Sequence, residues 1–369
     1  MVESTADDGL DNFERINGKR EQIDRLLETF ARDRSEHDAR WMEVQAPPRR
    51  LYHYTTVDGL LGIVRAGALW ASDARFMNDS SELSYAGALI NEVVESRLAS
   101  VTSASLKRVL PARPGFADQF EYGRRPFIAC FCETDDLLSQ WRGYGAGSAG
   151  VSLGLDLHIL PVAGGLPPNT YLRKVEYNEE KQRDAVAVVT DAWLATAEKL
   201  LDSGVEPDAL FPYPAIWALQ EALAEFHLCF KHPAFKEERE WRLIKLVDVR
   251  EELRLLDDRR TQEMLAATRA RMAELTGEAQ PSWSPQGMPS TAEGVEICFR
   301  SSPIGLVPYV VLPLRDTAGV FTGRLPLWEV RQGPTGNPSL AIESLGVFLS
   351  SHGYGYHTQV LATEVPLRT

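Results

Sequence analysis

Cysteine is scarce: Cys130, Cys132, Cys229 and Cys298 are the only four in 369 residues. In "CFC", Cys130 and Cys132 share one side of an apolar strand and lack the spacing of zinc or redox pairs. All four therefore read as free thiols packed in a core, as in a reducing cytosol. Long apolar runs are missing too. "GLVPYVVLPL" is broken by proline and falls well short of the ~20 residues that cross a bilayer. The leading "MVESTADDGLDNFERINGKR" has no apolar stretch of the signal-peptide kind. These absences predict a soluble, cytoplasmic chain. Positive charge is also short, with 39 Lys and Arg against 52 Asp and Glu, a net charge of -13. That balance disfavours a generic nucleic-acid surface. HExxH and the Walker lysine motif do not occur, and His227 and His232 fit a zinc pair poorly.

What is present is an ordinary globular composition, 44% hydrophobic, enough to bury a sizeable core. Residues 1–46 read as a polar leader and an amphipathic helix, with Phe13, Ile16, Ile23, Leu26, Leu27 and Phe30 near one face. Residues 47–369 read as a single α+β domain, within which 251–292 form an insertion rich in charge, then in Pro, Gly and Ser. Strands are expected at "LYHY", "ALWAS", "RPFIACFCE", from Gly150, at "YLRKVEY", "EWRLIKLVDV", "VEICFR", "GLVPYVVLPL", "RLPLWEVRQG" and "YHTQVLATEVPL". Helices are expected after Thr55 or Thr56 up to Gly67, through Leu98, over Glu179 to Leu201, over Pro214 to Phe230, and near Pro338 to Ser350. Short strands alternating irregularly with helices predict a central mixed sheet rather than regular βαβ winding.

Four stretches could carry chemistry, each with a plainer reading beside it. In "LYHYTT", His53, Tyr54 and Thr55 stand where a strand meets a helix start, a place where ligands dock; a core histidine is the plain alternative. In "RFMNDSSE", Asn78 is read as a helix cap, and the same amino terminus would suit a phosphate. In "SQWRGYGAGSAG", Ser139, Trp141, Arg142 and Tyr144 offer hydroxyl, aromatic and cationic groups beside a glycine-rich turn; an aromatic plug is the alternative. In "FKHPAFKEEREWRLI", strand alternation puts Glu240, Arg242 and Ile244 on one face and Trp241, Leu243 and Lys245 on the other. Arg242 would hold Glu240 ionised. Glu237 and Glu238 read as the exposed end of the preceding helix.

In order, "LYHYTT", "GLLGIVRAGALWAS", "FMNDSSE", "FIACFCETDDLLSQWRGYGAGSAGVSLGLD", "KHPAFKEEREWRLI", "LWEVRQGPTG" and "LATEVPLR" resemble a bacterial domain-of-unknown-function family, number 2971, over about Leu51 to Arg368. The layout also resembles the ADP-ribosyltransferase fold. That resemblance implies a split central sheet with flanking helices, NAD as substrate and no metal. It implies His53 on the nicotinamide ribose, Tyr144 or Trp141 stacked on nicotinamide, and Glu240 stabilising an oxocarbenium-like transition state. Tyr54, Thr55, Asn78, Ser139, Trp141, Arg142 and Arg242 would complete the nucleotide site. The implied activity is ADP-ribosyl transfer to a protein or nucleic-acid acceptor, or NAD glycohydrolysis, as in bacterial toxins and phage-defence effectors. A non-catalytic nucleotide-sensing module is the alternative, with a nuclease behind it. The amino-terminal helix is a candidate homo-oligomer contact, and no membrane partner is expected.

Overall fold

A computed structural model describes residues 47–77, 80–109, 124–144, 150–157, 166–202, 214–248, 295–302, 305–316, 319–321 and 323–366, together with Phe30. Apart from Phe30, the expected amino-terminal helix lies outside the described residues, as does the expected 251–292 insertion.

Ten strands form one mixed sheet. They are β1 (Leu51–Thr56), β2 (Leu69–Asp73), β3 (Arg124–Cys132), β4 (Gly150–Leu155), β5 (Thr170–Lys174), β6 (Glu240–Asp248), β7 (Ile297–Ser302), β8 (Gly305–Leu312), β9 (Leu327–Gln332) and β10 (Gln359–Ala362). Pairing is antiparallel except between β9 and β10. The sheet forks at β3. One edge of β3 pairs with β6 along its whole length, and β6 in turn pairs with β5. The other edge is divided: Cys132 pairs with Tyr52 of β1, whereas Ile128 and Phe127 pair with Ser72 and Asp73 of β2. Cys130 lies between the two pairings. Beyond the fork, β1 continues into β4, β9 and β10, and β2 continues into β8 and β7. The mixed α+β architecture expected from the sequence is therefore present.

Strand alternation sorts the side chains onto two faces. Phe127, Ala129 and Phe131 of β3 join Leu51, Leu153, Trp241 and Leu243 in the main core. Helices α1 (Val57–Ala66) and α7 (Pro338–Ser351) reach this core through Leu60, Ile63, Leu345 and Leu349. The Thr56 hydroxyl accepts from the Gly59 N–H at 3.1 Å to start α1. Gly67, at φ 60°, ends it in the left-handed conformation that glycine adopts freely. On the opposite face of β3 and β6, Ile128, Ile244, Leu228 and Cys229 form a second cluster. Above it pack α2 (Ser80–Ser100), α5 (Glu179–Asp202) and α6 (Pro214–Cys229) around Trp193, Phe226 and Phe230. Phe30 is buried in that same helical cluster, so this position of the expected contact helix is used inside the chain. The short helices α3 (Ala104–Val109) and α4 (Leu138–Tyr144) complete the set.

One local expectation is corrected. The helix ahead of β6 stops at Cys229, and Pro233–Glu238 forms a separate 3-10 turn. Pro233 removes an N–H that a continuing helix would need. Arg239 then takes φ 43°, an uncommon conformation for a side chain with a Cβ, and swings the backbone into β6.

On the face opposite the main core, one row of paired residues runs Glu329, Gly154, Tyr52, Cys132, Glu240 across five strands. At about 4.8 Å per strand the ends of that row are ~19 Å apart. Gly154 is required by its neighbours. A Cβ there would stand 2.9 Å from Tyr52 Cε1 and 3.0 Å from Glu329 Cβ. Gly154→Ala should therefore lower stability by about 1–3 kcal/mol, read as a fall in the thermal midpoint.

Candidate functional site

The residues expected to act are distributed over three places. His53 stands at the fork. Its Nδ1 lies 2.8 Å from the carbonyl oxygen of Cys130, the β3 residue between the two strand pairings. A carbonyl only accepts, so Nδ1 carries the proton and Nε2 is left as an acceptor. Burial pushes the His53 pKa down, the Cys130 carbonyl opposes this, and Arg300 adds to the fall, so the ring is neutral near pH 7. Phe131 lies beside it, ring centroids 5.6 Å apart.

Glu240 occupies the opposite face. Its row partner in β1 is Tyr52, by way of Cys132, so His53, one residue along, points the other way. The two expected residues are therefore not brought together: His53 bonds the Cys130 carbonyl, while Glu240 acts on the Cys130 thiol electrostatically from the other face.

Glu240 is 3% exposed, and both its oxygens are engaged. Oε1 accepts from Arg242 Nε at 2.9 Å, and Oε2 accepts from Lys231 Nζ at 3.0 Å and Arg242 Nη2 at 3.1 Å. Glu82 of α2 joins in, 2.8 Å from Lys231 Nζ and 2.6 Å from Arg242 Nη2. Glu238 accepts from Lys231 at 2.6 Å. Burial alone would raise the Glu240 pKa, but Arg242 and Lys231 outweigh it and bring the carboxyl down to about 2. The face assignment of Glu240, Arg242 and Ile244 and the ionised state of Glu240 agree with the sequence reading. Glu238 does not: it is half-buried in this network, because the 3-10 turn folds it back over Lys231, while Glu237 is exposed. Glu82 and Lys231 are functional candidates that the sequence reading missed.

The "SQWRGYG" helix does not offer an open aromatic shelf at Trp141. That ring is 4% exposed, donates from Nε1 to Asp136 at 2.6 Å, and stands edge-on to Tyr54 at 4.8 Å. Tyr54 is buried as well. It donates to the Thr134 carbonyl and accepts from the Leu137 N–H, each at 2.9 Å. Trp141 and Tyr54 therefore form an aromatic plug that fixes the "ETDD" loop over β1. Arg142 is exposed and Thr55 half-buried, while the Ser139 hydroxyl is enclosed without a hydrogen-bond partner among the described residues. Asn78 and the side chain of Tyr144 lie outside the described residues.

Next to this plug is a polar group with no counterpart in the sequence reading. Glu329 and Arg331 of β9 share the face of Tyr52 and Tyr54. Arg331 pairs with Asp135, and Arg50 lies 3.4 Å from Glu329. Burial first, then the Asp135 charge, raise the Glu329 pKa. Alternate opposite charges in the otherwise apolar "LWEVRQ" were the available signal. Among the described residues, no group of three or more His, Cys, Asp or Glu is placed to hold a metal ion, and no helix is long and apolar enough to cross a membrane.

Residues 140–243 match the model of a family described as a protein of unknown function (DUF2971). The match takes in Trp141, Lys231, Glu240 and Arg242 and leaves out His53 and Glu82. No curated protein and no solved structure matches the chain.

Two outcomes follow from the buried network. Lys231→Met leaves three carboxylates around a lost cation and should cost about 3–5 kcal/mol in denaturant unfolding. For Glu240 the folded pKa of about 2 lies below the free value of 4.5. Its stabilisation is therefore complete above pH 4.5 and lost as the pH falls toward 2, by about 3 kcal/mol. Glu238, raised chiefly by burial, acts in the opposite sense and softens the loss. Stability measured between pH 7 and pH 2.5 should fall more gently for Glu240→Gln than for the parent.

Proposed function

We propose that the protein is an NAD-using enzyme of the ADP-ribosyltransferase or NAD-glycohydrolase type, with its nucleotide bound at the fork of the sheet. One observation carries the reading: His53 stands where β1 and β2 part, with Nδ1 on the Cys130 carbonyl and Nε2 left as an acceptor. Cleaving the N-glycosidic bond to a cationic nicotinamide releases a neutral leaving group. It needs neither a metal nor a strong acid, only orientation and negative charge near the developing oxocarbenium. His53 suits the first task, because its neutral ring presents Nε2 as an acceptor for a ribose hydroxyl. Glu240 suits the second in charge, since it is ionised throughout the physiological range. In this reading the stacking aromatic is Tyr144, because Trp141 is enclosed.

A second reading has its own support. With both oxygens of Glu240 held by Arg242 and Lys231, that carboxylate contacts a substrate only after one ion pair opens. A nucleotide-binding module without turnover would leave those pairs closed.

Purified protein incubated with NAD, with nicotinamide release followed by chromatography, separates the readings. Turnover is expected, with His53→Gln reducing it about 10- to 100-fold through loss of one positioned hydrogen bond. Glu240→Asp keeps the charge but withdraws it, and should reduce turnover while far-ultraviolet circular dichroism stays native. NAD binding without nicotinamide release would establish the module instead. Neither binding nor release would end the NAD reading altogether.

A further inference from the structure

Between the buried residues Lys231 and Glu240 the chain makes an exposed excursion, 232–239. Both ends of it are fixed. The Lys231 N–H donates to the Glu176 carbonyl at 3.2 Å, and the Lys231 carbonyl accepts from Gln182 Nε2 at 3.0 Å. The Glu240 N–H donates to the Tyr177 hydroxyl at 3.0 Å, and the Glu240 carbonyl accepts from the Val175 N–H at 2.9 Å. What lies between is lightly attached. The 3-10 turn Pro233–Glu238 contains no buried residue. Its bonds close on itself: Phe235 N–H to the His232 carbonyl, Ala234 N–H to His232 Nδ1, and Arg239 N–H to the Lys236 carbonyl. Among the described residues it meets the rest of the molecule through three side chains. Glu238 accepts from Lys231 Nζ at 2.6 Å, the Phe235 ring lies 5.0 Å from that same Nζ, and His232 stands edge-on to Tyr85 at 5.3 Å.

We infer that residues 232–239 form a hinged strap over Glu240, latched by Glu238 on Lys231 and able to open while the fold stays intact. Charge identifies the contact that releases. Lys231 and Arg242 face three carboxylates, and the Glu238 side chain is the most exposed of them, 15% against 9% for Glu82 and 4% for Glu240. Once Glu238 leaves, Lys231 keeps Glu82 at 2.8 Å and Glu240 at 3.0 Å. Two cations then face two carboxylates, and no buried charge is stranded. Burial raises the Glu238 pKa by more than Lys231 lowers it, so the ionised carboxylate regains solvation on release. Opening also frees Arg239 from φ 43°, a conformation that a Cβ disfavours.

The strap covers the route to the carboxylate. Glu238 and Phe235 both sit on Lys231 Nζ, which is itself bonded to Glu240 Oε2. Opening therefore uncovers the Oε2 side of Glu240. That the strap admits a substrate rests on the NAD reading; that it opens does not.

Amide hydrogen exchange of the full chain at pH 7, resolved to single residues by mass spectrometry, reads the opening. Glu238→Gln removes the surplus charge, so the Phe235 and Arg239 amides should exchange about tenfold faster. The Leu243 and Ile244 amides of β6 and the melting temperature should stay level. Phe235→Ala should act in the same direction. The strap is overturned if neither variant quickens these amides, or if they quicken only together with β6 and a falling melting temperature. With NAD as probe, Glu238→Gln should raise kcat/KM several-fold. An unchanged kcat/KM beside faster exchange overturns the gating role. A parent that releases no nicotinamide ends the NAD reading, and the exchange rates alone then decide the strap.

Discussion

Arg242 is the residue on which the arrangement depends. A guanidinium only 1% exposed is tolerable only if its charge and donors are met, since an unpaired ion in the interior is prohibitively costly. Its donors meet Glu240 on its own strand, Glu82 on α2, and the Leu228 carbonyl near the end of α6. One side chain therefore fixes the helical layer to the sheet. Lys231 repeats the pattern, drawing Glu82, Glu238 and Glu240 together. With three carboxylates around two cations, removing either cation leaves buried carboxylates short of a counter-charge.

The fork in the sheet explains why polar groups gather where they do. Two strands cannot share one edge of β3 continuously, so the backbone between their pairings lacks a ladder partner. His53 supplies a donor to the Cys130 carbonyl there. The same divergence lets Tyr52, Tyr54 and the loop before α4 close over the opposite face, where Asp135 and Asp136 meet Arg331, Thr363 and Trp141. Motifs far apart in the chain, "LYHYTT", "ETDDLLSQW", "LWEVRQ" and "LATEV", are thereby assembled into one polar layer. Aromatic rings are spent on holding that layer together rather than on presenting an open surface.

Periodicity is a local property, and it was readable. The strand at Glu240 and the sharing of a face by Glu240, Arg242 and Ile244 follow from alternation alone. Helix limits at Thr56 and Gly67 follow from capping chemistry. The partners of Glu240 were not readable. Lys231 and Glu82 reach it from a turn and a distant helix, and nothing in their neighbourhoods marks them apart from solvated charges. Glu238 misled for the same reason: a charge run ending a helix is usually exposed, and here Pro233 breaks the helix and folds the run inward.

Neighbours along the chain set the alternating strands, the helices and their caps and the mixed α+β class, and Arg242 two residues on favours an ionised Glu240. Strand pairing put His53 and Glu240 on opposite faces, enclosed Trp141, and set Ser152, Glu329 and Arg331 side by side. Those outcomes depend on which strands pair and in what register, and a shift of one residue in the pairing would send each side chain to the other face.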